Sequence, residues 1–143
     1  MAEAKFERIK PSDKPLYGPQ KLLLCGFSTV AQSNFNAVLK MVGLSNVSKI
    51  WVSENQSSTV LSDLLKLPDG EGEGESSQLP RAVIVSGILK KELFSLMRVC
   101  KKTGMKNTLW ATLTPTSENW TIHQLLTELM SERNAMQRKK KKA

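Results

Sequence analysis

Four short runs of uninterrupted apolar character constrain this chain more than any other feature: Leu22-Leu-Leu-Cys-Gly-Phe27, Lys49-Ile-Trp-Val-Ser53, Arg81-Ala-Val-Ile-Val-Ser86 and Thr108-Leu-Trp-Ala-Thr-Leu113. A strand with one wet face alternates apolar and polar residues, whereas these runs do not alternate, so both of their faces must be covered. The segments between and after them carry helical periodicity. Apolar residues fall at Ala31, Phe35, Val38, Leu39 and Val42, then at Val60, Leu61, Leu64 and Leu65, then at Leu89, Leu93, Leu96, Met97 and Cys100, and last at Ile122, Leu125, Leu126, Leu129 and Met130. The expected fold is therefore α/β in the order β-α-β-α-β-α-β-α, a mainly parallel four-stranded sheet with helices packed on it through right-handed crossovers.

The chain of 143 residues divides on this reading into an irregular Pro-rich leader over 1–20, a single α/β domain over 21–132 and a tail over 133–143. Within the domain, halves 21–67 and 81–132 flank an acid and glycine run at 68–80, which reads as a solvated linker because it has nothing to bury. The halves resemble each other. Gly26 and Gly87 each close a strand, Gly43 and Gly104 each suit a helix C-terminus, and one offset of 61 superposes both pairs, along with Val38 on Val99, Lys40 on Lys101 and Asn46 on Asn107. Trp51 matches Trp110 after a slip of two. In the last helix, Thr121 and Gln124 have capping-box spacing, and Trp120 and Leu125 stand where a hydrophobic staple is made.

A formal charge of +8 resembles a nucleic-acid signature until it is divided along the chain. Residues 133–143 carry +6, while 1–20 and 21–132 carry +1 each. Arg138, Lys139, Lys140, Lys141 and Lys142 are thus the candidate polyanion-binding residues, and the folded body is close to neutral. Several adjacent cations neutralise phosphates without reading sequence.

Candidate chemistry elsewhere is sparse. Ligands of parallel α/β sheets bind beyond the carboxyl ends of the strands, and there the sequence offers Gly26, Ser28, Glu54, Ser86, Gly87, Thr114 and Thr116, a hydroxyl-rich rim with one carboxylate. No phosphate loop, dinucleotide fingerprint or metal-spaced Cys/His cluster occurs, His123 is the one histidine, and no cofactor is expected. Cys25 and Cys100 sit in apolar segments and read as buried free thiols. Thr114-Pro-Thr116 reads as a rigid strand-to-helix connection. No apolar run approaches the roughly 20 residues of a bilayer span, and the start lacks a signal-peptide core, so an intracellular, cytoplasmic or nuclear protein is expected, or an organellar one if the N-terminus is a processing product.

Val83 to Leu129 resembles a small family catalogued as domain of unknown function 3783. The resemblance is carried by Ser86-Gly87 at a strand end and by Leu109-Trp-Ala-Thr-Leu-Thr-Pro-Thr-Ser-Glu-Asn-Trp-Thr121 leading into Leu125-Leu-Thr-Glu-Leu129. It implies the α/β fold and assigns no activity, cofactor or catalytic residue. The functional expectation is a non-enzymatic interaction module whose basic tail contacts RNA or an acidic protein partner without sequence specificity. The alternative is a regulatory domain that binds a small molecule or anion at the strand-end rim. The sequence leaves the oligomeric state open.

Overall fold

The apolar runs become strands β1 (Lys21–Cys25), β2 (Ser48–Val52), β3 (Ala82–Ser86) and β4 (Leu109–Thr112) of one sheet, in the order β2-β1-β3-β4, in a computed structural model that describes residues 14–105 and 107–142. The central strands β1 and β3 are buried on both faces for the reason the sequence suggested, β2 is buried from Ile50 onward, and β4 is only partly covered, with Leu109 buried, Trp110 and Ala111 half-buried and Thr112 exposed. Helices α1 (Thr29–Met41) and α3 (Lys90–Lys102) cover one face, where Leu22, Leu24, Val83 and Val85 meet Phe35, Leu39, Leu96 and Cys100. Helices α2 (Leu61–Leu64) and α4 (Ile122–Lys142) cover the other, where Leu23, Cys25 and Ile84 meet Leu61, Leu64, Ile122 and Leu126. Short 3-10 turns at Glu54–Gln56 and Ser117–Asn119 follow β2 and β4.

The expectation of a mainly parallel sheet is corrected at its centre. β1 pairs with β2, and β3 with β4, in parallel, but β1 and β3 are antiparallel, and the sheet is mixed. The cause is the path of the acid and glycine segment. After α2 the chain returns to the start of β1, where Lys21 Nζ donates to the carbonyls of Leu65 and Leu67. It then climbs the free edge of β2. Lys49 N–H donates to Asp69 Oδ1 at 2.8 Å, Gly70 N–H to the Lys49 carbonyl at 2.8 Å, and Trp51 N–H to the Glu71 carbonyl at 2.8 Å. The Gln32 amide then clamps Gly74 N–H and the Glu75 carbonyl, and Ser77 N–H reaches the Phe27 carbonyl. Residues 68–80, expected as a solvated spacer, are thus hydrogen-bonded along the sheet and deliver the chain to the carboxyl end of β1. A strand entered from that end runs downward, antiparallel to β1.

The two halves are consequently related by an approximate twofold axis through the β1–β3 pair. Leu23 stands opposite Ile84, its counterpart at offset 61, and Lys21 and Cys25 stand opposite Ser86 and Ala82. The offset carries α1 onto α3 residue for residue. It also carries the bond from Leu44 N–H to the Leu39 carbonyl onto that from Met105 N–H to the Cys100 carbonyl, and the bond from Leu61 N–H to the Trp120 carbonyl onto that from Ile122 N–H to the Thr59 carbonyl. The tryptophans do not correspond. The register places Lys49 at the position of Trp110 and Thr112 at that of Trp51.

The strand-closing glycines show why the relation is kept. Gly26 has φ +75°, and a Cβ there would lie 2.2 Å from the Leu79 carbonyl oxygen and 2.7 Å from both Pro80 C and Arg81 N. Gly87 has φ +73°, with the equivalent Gly18 O, Pro19 C and Gln20 N at 2.6, 2.5 and 2.6 Å. Each turn packs backbone to backbone against the segment that enters the other half's central strand. Gly26→Ala and Gly87→Ala should therefore each lower stability by more than about 2 kcal/mol, the left-handed penalty with a backbone collision added. Gly43→Ala and Gly104→Ala, with positive φ but open space, should lose only about 1 to 2 kcal/mol. Urea unfolding of the four variants checks the ordering.

Candidate functional site

The mixed sheet divides the expected strand-end rim. Gly26, Ser28 and Glu54 follow β1 and β2 at one end of the sheet, while Ser86, Gly87, Thr114 and Thr116 follow β3 and β4 at the opposite end. A five-residue strand separates the two groups by roughly 15 Å. The rim does not come together as one site, because a ligand crevice needs neighbouring strands to end on the same side.

Nearly every polar group of that set also has a partner within the fold. Ser28 caps α1, its Oγ accepting from Ala31 N–H at 3.1 Å. Glu54 Oε1 accepts from Gln78 N–H at 2.6 Å, a bond that fastens the end of the edge segment. The Ser86 hydroxyl is fully buried and donates to the Pro19 carbonyl. Thr114 and Ser117 bond reciprocally, Ser117 N–H to Thr114 Oγ1 at 2.9 Å and Thr114 N–H to Ser117 Oγ at 3.0 Å, which closes the 3-10 turn after β4. The Thr114–Pro115 bond is trans. Thr116 is exposed and its side chain makes no cap bond. These groups are consumed in shaping the strand ends.

The capping box of α4 is present, with Gln124 N–H donating to Thr121 Oγ1 at 3.1 Å and Thr121 N–H to Gln124 Oε1 at 2.8 Å. Trp120 is half-buried against the cluster that contains Leu125, which suits the staple. His123 is exposed beside it. Among the described residues no group of three His, Cys, Asp or Glu side chains is placed to hold a metal ion, and no helix is long and apolar enough to cross a membrane.

What the sequence reading missed lies at the β4 edge. Arg81, Asn107, Leu109, Arg133 and Gln137 line an open cavity of about 450 Å³, and a neighbouring one of about 300 Å³ adds Thr108, Trp110 and Met136. Arg133 Nη1 donates to the Asn107 carbonyl at 3.1 Å and joins α4 to the loop before β4. Arg133 had been counted only as tail charge, and nothing in its spacing from Arg81 signalled that the two share a groove. The core-facing residues of α4 end at Met130, yet its backbone stays helical to Lys142. The side chains of Arg138, Lys139, Lys140, Lys141 and Lys142 lie outside the described residues.

Residues 81–136 match the model of the family described as Domain of unknown function (DUF3783), a stretch running from the entry of β3 into the exposed part of α4. No curated protein and no solved structure matches the chain.

The cysteines are buried on opposite faces of the sheet, Cys25 of β1 in the cluster with α2 and α4, and Cys100 of α3 in the cluster between the sheet and α1. Desolvation pushes the Cys25 thiol up to about 12 and the Cys100 thiol to about 11, the latter partly offset by the charge of Arg81. Both should resist a disulfide exchange reagent at pH 8 until the protein is unfolded. The sign of the pH effect follows from the folded state holding its protons longer. The unfolded thiols ionise near 9.0 while the folded ones do not, so the thiols' contribution to stability is fully present below pH 9 and is lost as pH rises from 9 towards 11. Urea midpoints at pH 8 and pH 10 for the native protein and a Cys25→Ala/Cys100→Ala double variant measure that decline, which should be steeper in the native protein.

Proposed function

We propose that this protein is a non-enzymatic interaction module that engages a polyanionic partner, RNA or an acidic protein segment, through its basic C-terminal segment. One observation carries the reading: α4 continues as helix for about three turns past Met130, its last core-facing residue, along the stretch where the sequence concentrates +6 of its +8 charge. A run of bases on a helix beyond the core can offer adjacent cations to phosphates or carboxylates. The separation of the rim residues and their use in caps and turns weigh against the alternative of a regulatory domain with a small-molecule or anion site at the strand ends. We further read the offset of 61 as the trace of a duplicated β-α-β-α unit, of which residues 81–136 are the copy resembling the family, and we place the protein in the cytoplasm or nucleus.

A salt titration tests the tail. If Arg138 and Lys139 to Lys142 neutralise about five phosphates of a single-stranded RNA, the slope of log K against log salt should be roughly 3 to 4 in magnitude, at about 0.7 per contact. A variant with the four lysines changed to glutamine should lose most of that slope in fluorescence anisotropy. Equal slopes, or no binding of RNA or of an acidic peptide by the intact protein at low salt, would overturn the proposal.

A further inference from the structure

The twofold relation exposes a difference between the sheet's two edges. On β2 three of the backbone groups that face outward are engaged by the chain itself: Lys49 N–H by Asp69 Oδ1, the Lys49 carbonyl by Gly70 N–H, and Trp51 N–H by the Glu71 carbonyl. The offset of 61 carries these onto Trp110 N–H, the Trp110 carbonyl and Thr112 N–H of β4. Leu109 and Leu113 N–H bond the carbonyls of Arg81 and Val85 on the β3 side, so the alternation of a parallel ladder turns Trp110 and Thr112 away from the sheet. Among the described residues nothing bonds those outward groups. The chain that would correspond to the edge segment, residues 129–136, is instead part of α4, which lies over the α2 side of the sheet and forms the outer wall of a groove along β4.

We propose that the β4 edge binds an extended acidic segment of a protein partner as an added strand, in the way that Asp69 to Glu75 lies along β2. Three observations name that occupant. The sheet already shows which chemistry fits such an edge, because the β2 cleft places Asp69 and Glu73 of the segment with Lys40 and Lys49 of the body. The β4 groove repeats that polarity, with Arg81 and Arg133 in its wall against the single acid Glu132. Thr108 lines the groove, and its Oγ1 is buried without a partner among the described residues. Added strands gain affinity from main-chain hydrogen bonds and selectivity from flanking groups, which here are cationic. The Gln32 amide that clamps the segment on β2 has Leu93 as its counterpart, so the β4 edge lacks that internal latch and suits a segment that comes and goes. The inference rests on the interaction-module reading and assigns its partner class and docking site.

The probe is a labelled peptide copying residues 66–78, Lys-Leu-Pro-Asp-Gly-Glu-Gly-Glu-Gly-Glu-Ser-Ser-Gln, with a control in which every acid is an amide. In the free intact protein the Trp110 and Thr112 amides should exchange with solvent much faster than those of Leu109, Leu113 and Trp51, and the acidic peptide at low salt should protect them. The amide control should bind more weakly. Thr112→Pro removes an outward N–H and leaves the β3 ladder intact, as proline is tolerated at sheet edges, and it should lower peptide affinity by at least about tenfold while RNA binding by the tail is unchanged. Protection of Trp110 and Thr112 in the free protein would overturn the proposal, and this measurement needs no variant to fold. Peptide binding that survives Thr112→Pro but is lost in the lysine-to-glutamine variant would assign it to the tail alone, sinking the edge site and sparing the module reading. Failure of RNA and peptide alike to bind would sink both. A dimer abolished by Thr112→Pro, with no peptide binding, would give the edge to a second copy of the chain instead.

Discussion

The antiparallel pairing of β1 with β3, centred on Leu23 and Ile84, sets the geometry on which the remainder of the molecule depends. It turns two parallel β-α-β units head to tail, so that each strand-end turn abuts the segment leading into the other unit's central strand. Gly26 against Leu79 to Arg81 and Gly87 against Gly18 to Gln20 are the same contact made twice. The cost of that closeness is that each position tolerates no side chain, since a Cβ would enter neighbouring backbone. The gain is a central strand pair buried on both faces and held at both ends, the arrangement expected of the most stable part of a sheet.

That pairing also redistributes the chemistry. An all-parallel sheet would gather Ser28, Glu54, Ser86 and Thr114 around one crevice, whereas the inverted second unit sends half of them to the far end. What would have been ligand-facing hydroxyls become caps and latches: Ser28 on α1, Ser86 on the Pro19 carbonyl, Thr114 on Ser117. The places left with unspent capacity are at the periphery, where the twofold relation fails. Residues 69–75 cover β2, while the corresponding residues continue α4 and leave β4 open. The two halves part after Leu64, where the short α2 ends and Pro68 with Gly70, Gly72 and Gly74 keep the chain from resuming a helix, against a run after Leu129 free of both residue types that allows α4 to persist.

The strands, the two long helices over Thr29–Met41 and Lys90–Lys102, and the capping box at Thr121 could be read from local pattern, since apolar period, glycine placement and cap spacing are properties of neighbouring residues. The burial of Cys25 and Cys100 followed from the same pattern. The role of residues 68–80 could not be read this way. Their side chains are mostly exposed and bury little, as their composition implies, and their order comes from backbone bonds to Lys49, Trp51 and Phe27 and from single polar side chains, Asp69, Gln32 and Glu54, that each meet a backbone group far away in the chain, which no local pattern encodes.

By itself, then, the sequence determined an α/β domain with four apolar strands, two similar halves in its spacing and a cationic end, because hydrophobic burial and net charge are sums over residue types. Tertiary structure alone decided the direction of β3, and with it which strand ends share a side, which edge is covered and which is open. Apolar content is indifferent to direction, since a strand buried on both faces presents the same surface running either way. The choice fell to the return path of Asp69 to Pro80 and to the fit of two glycine turns against backbone far away in the chain.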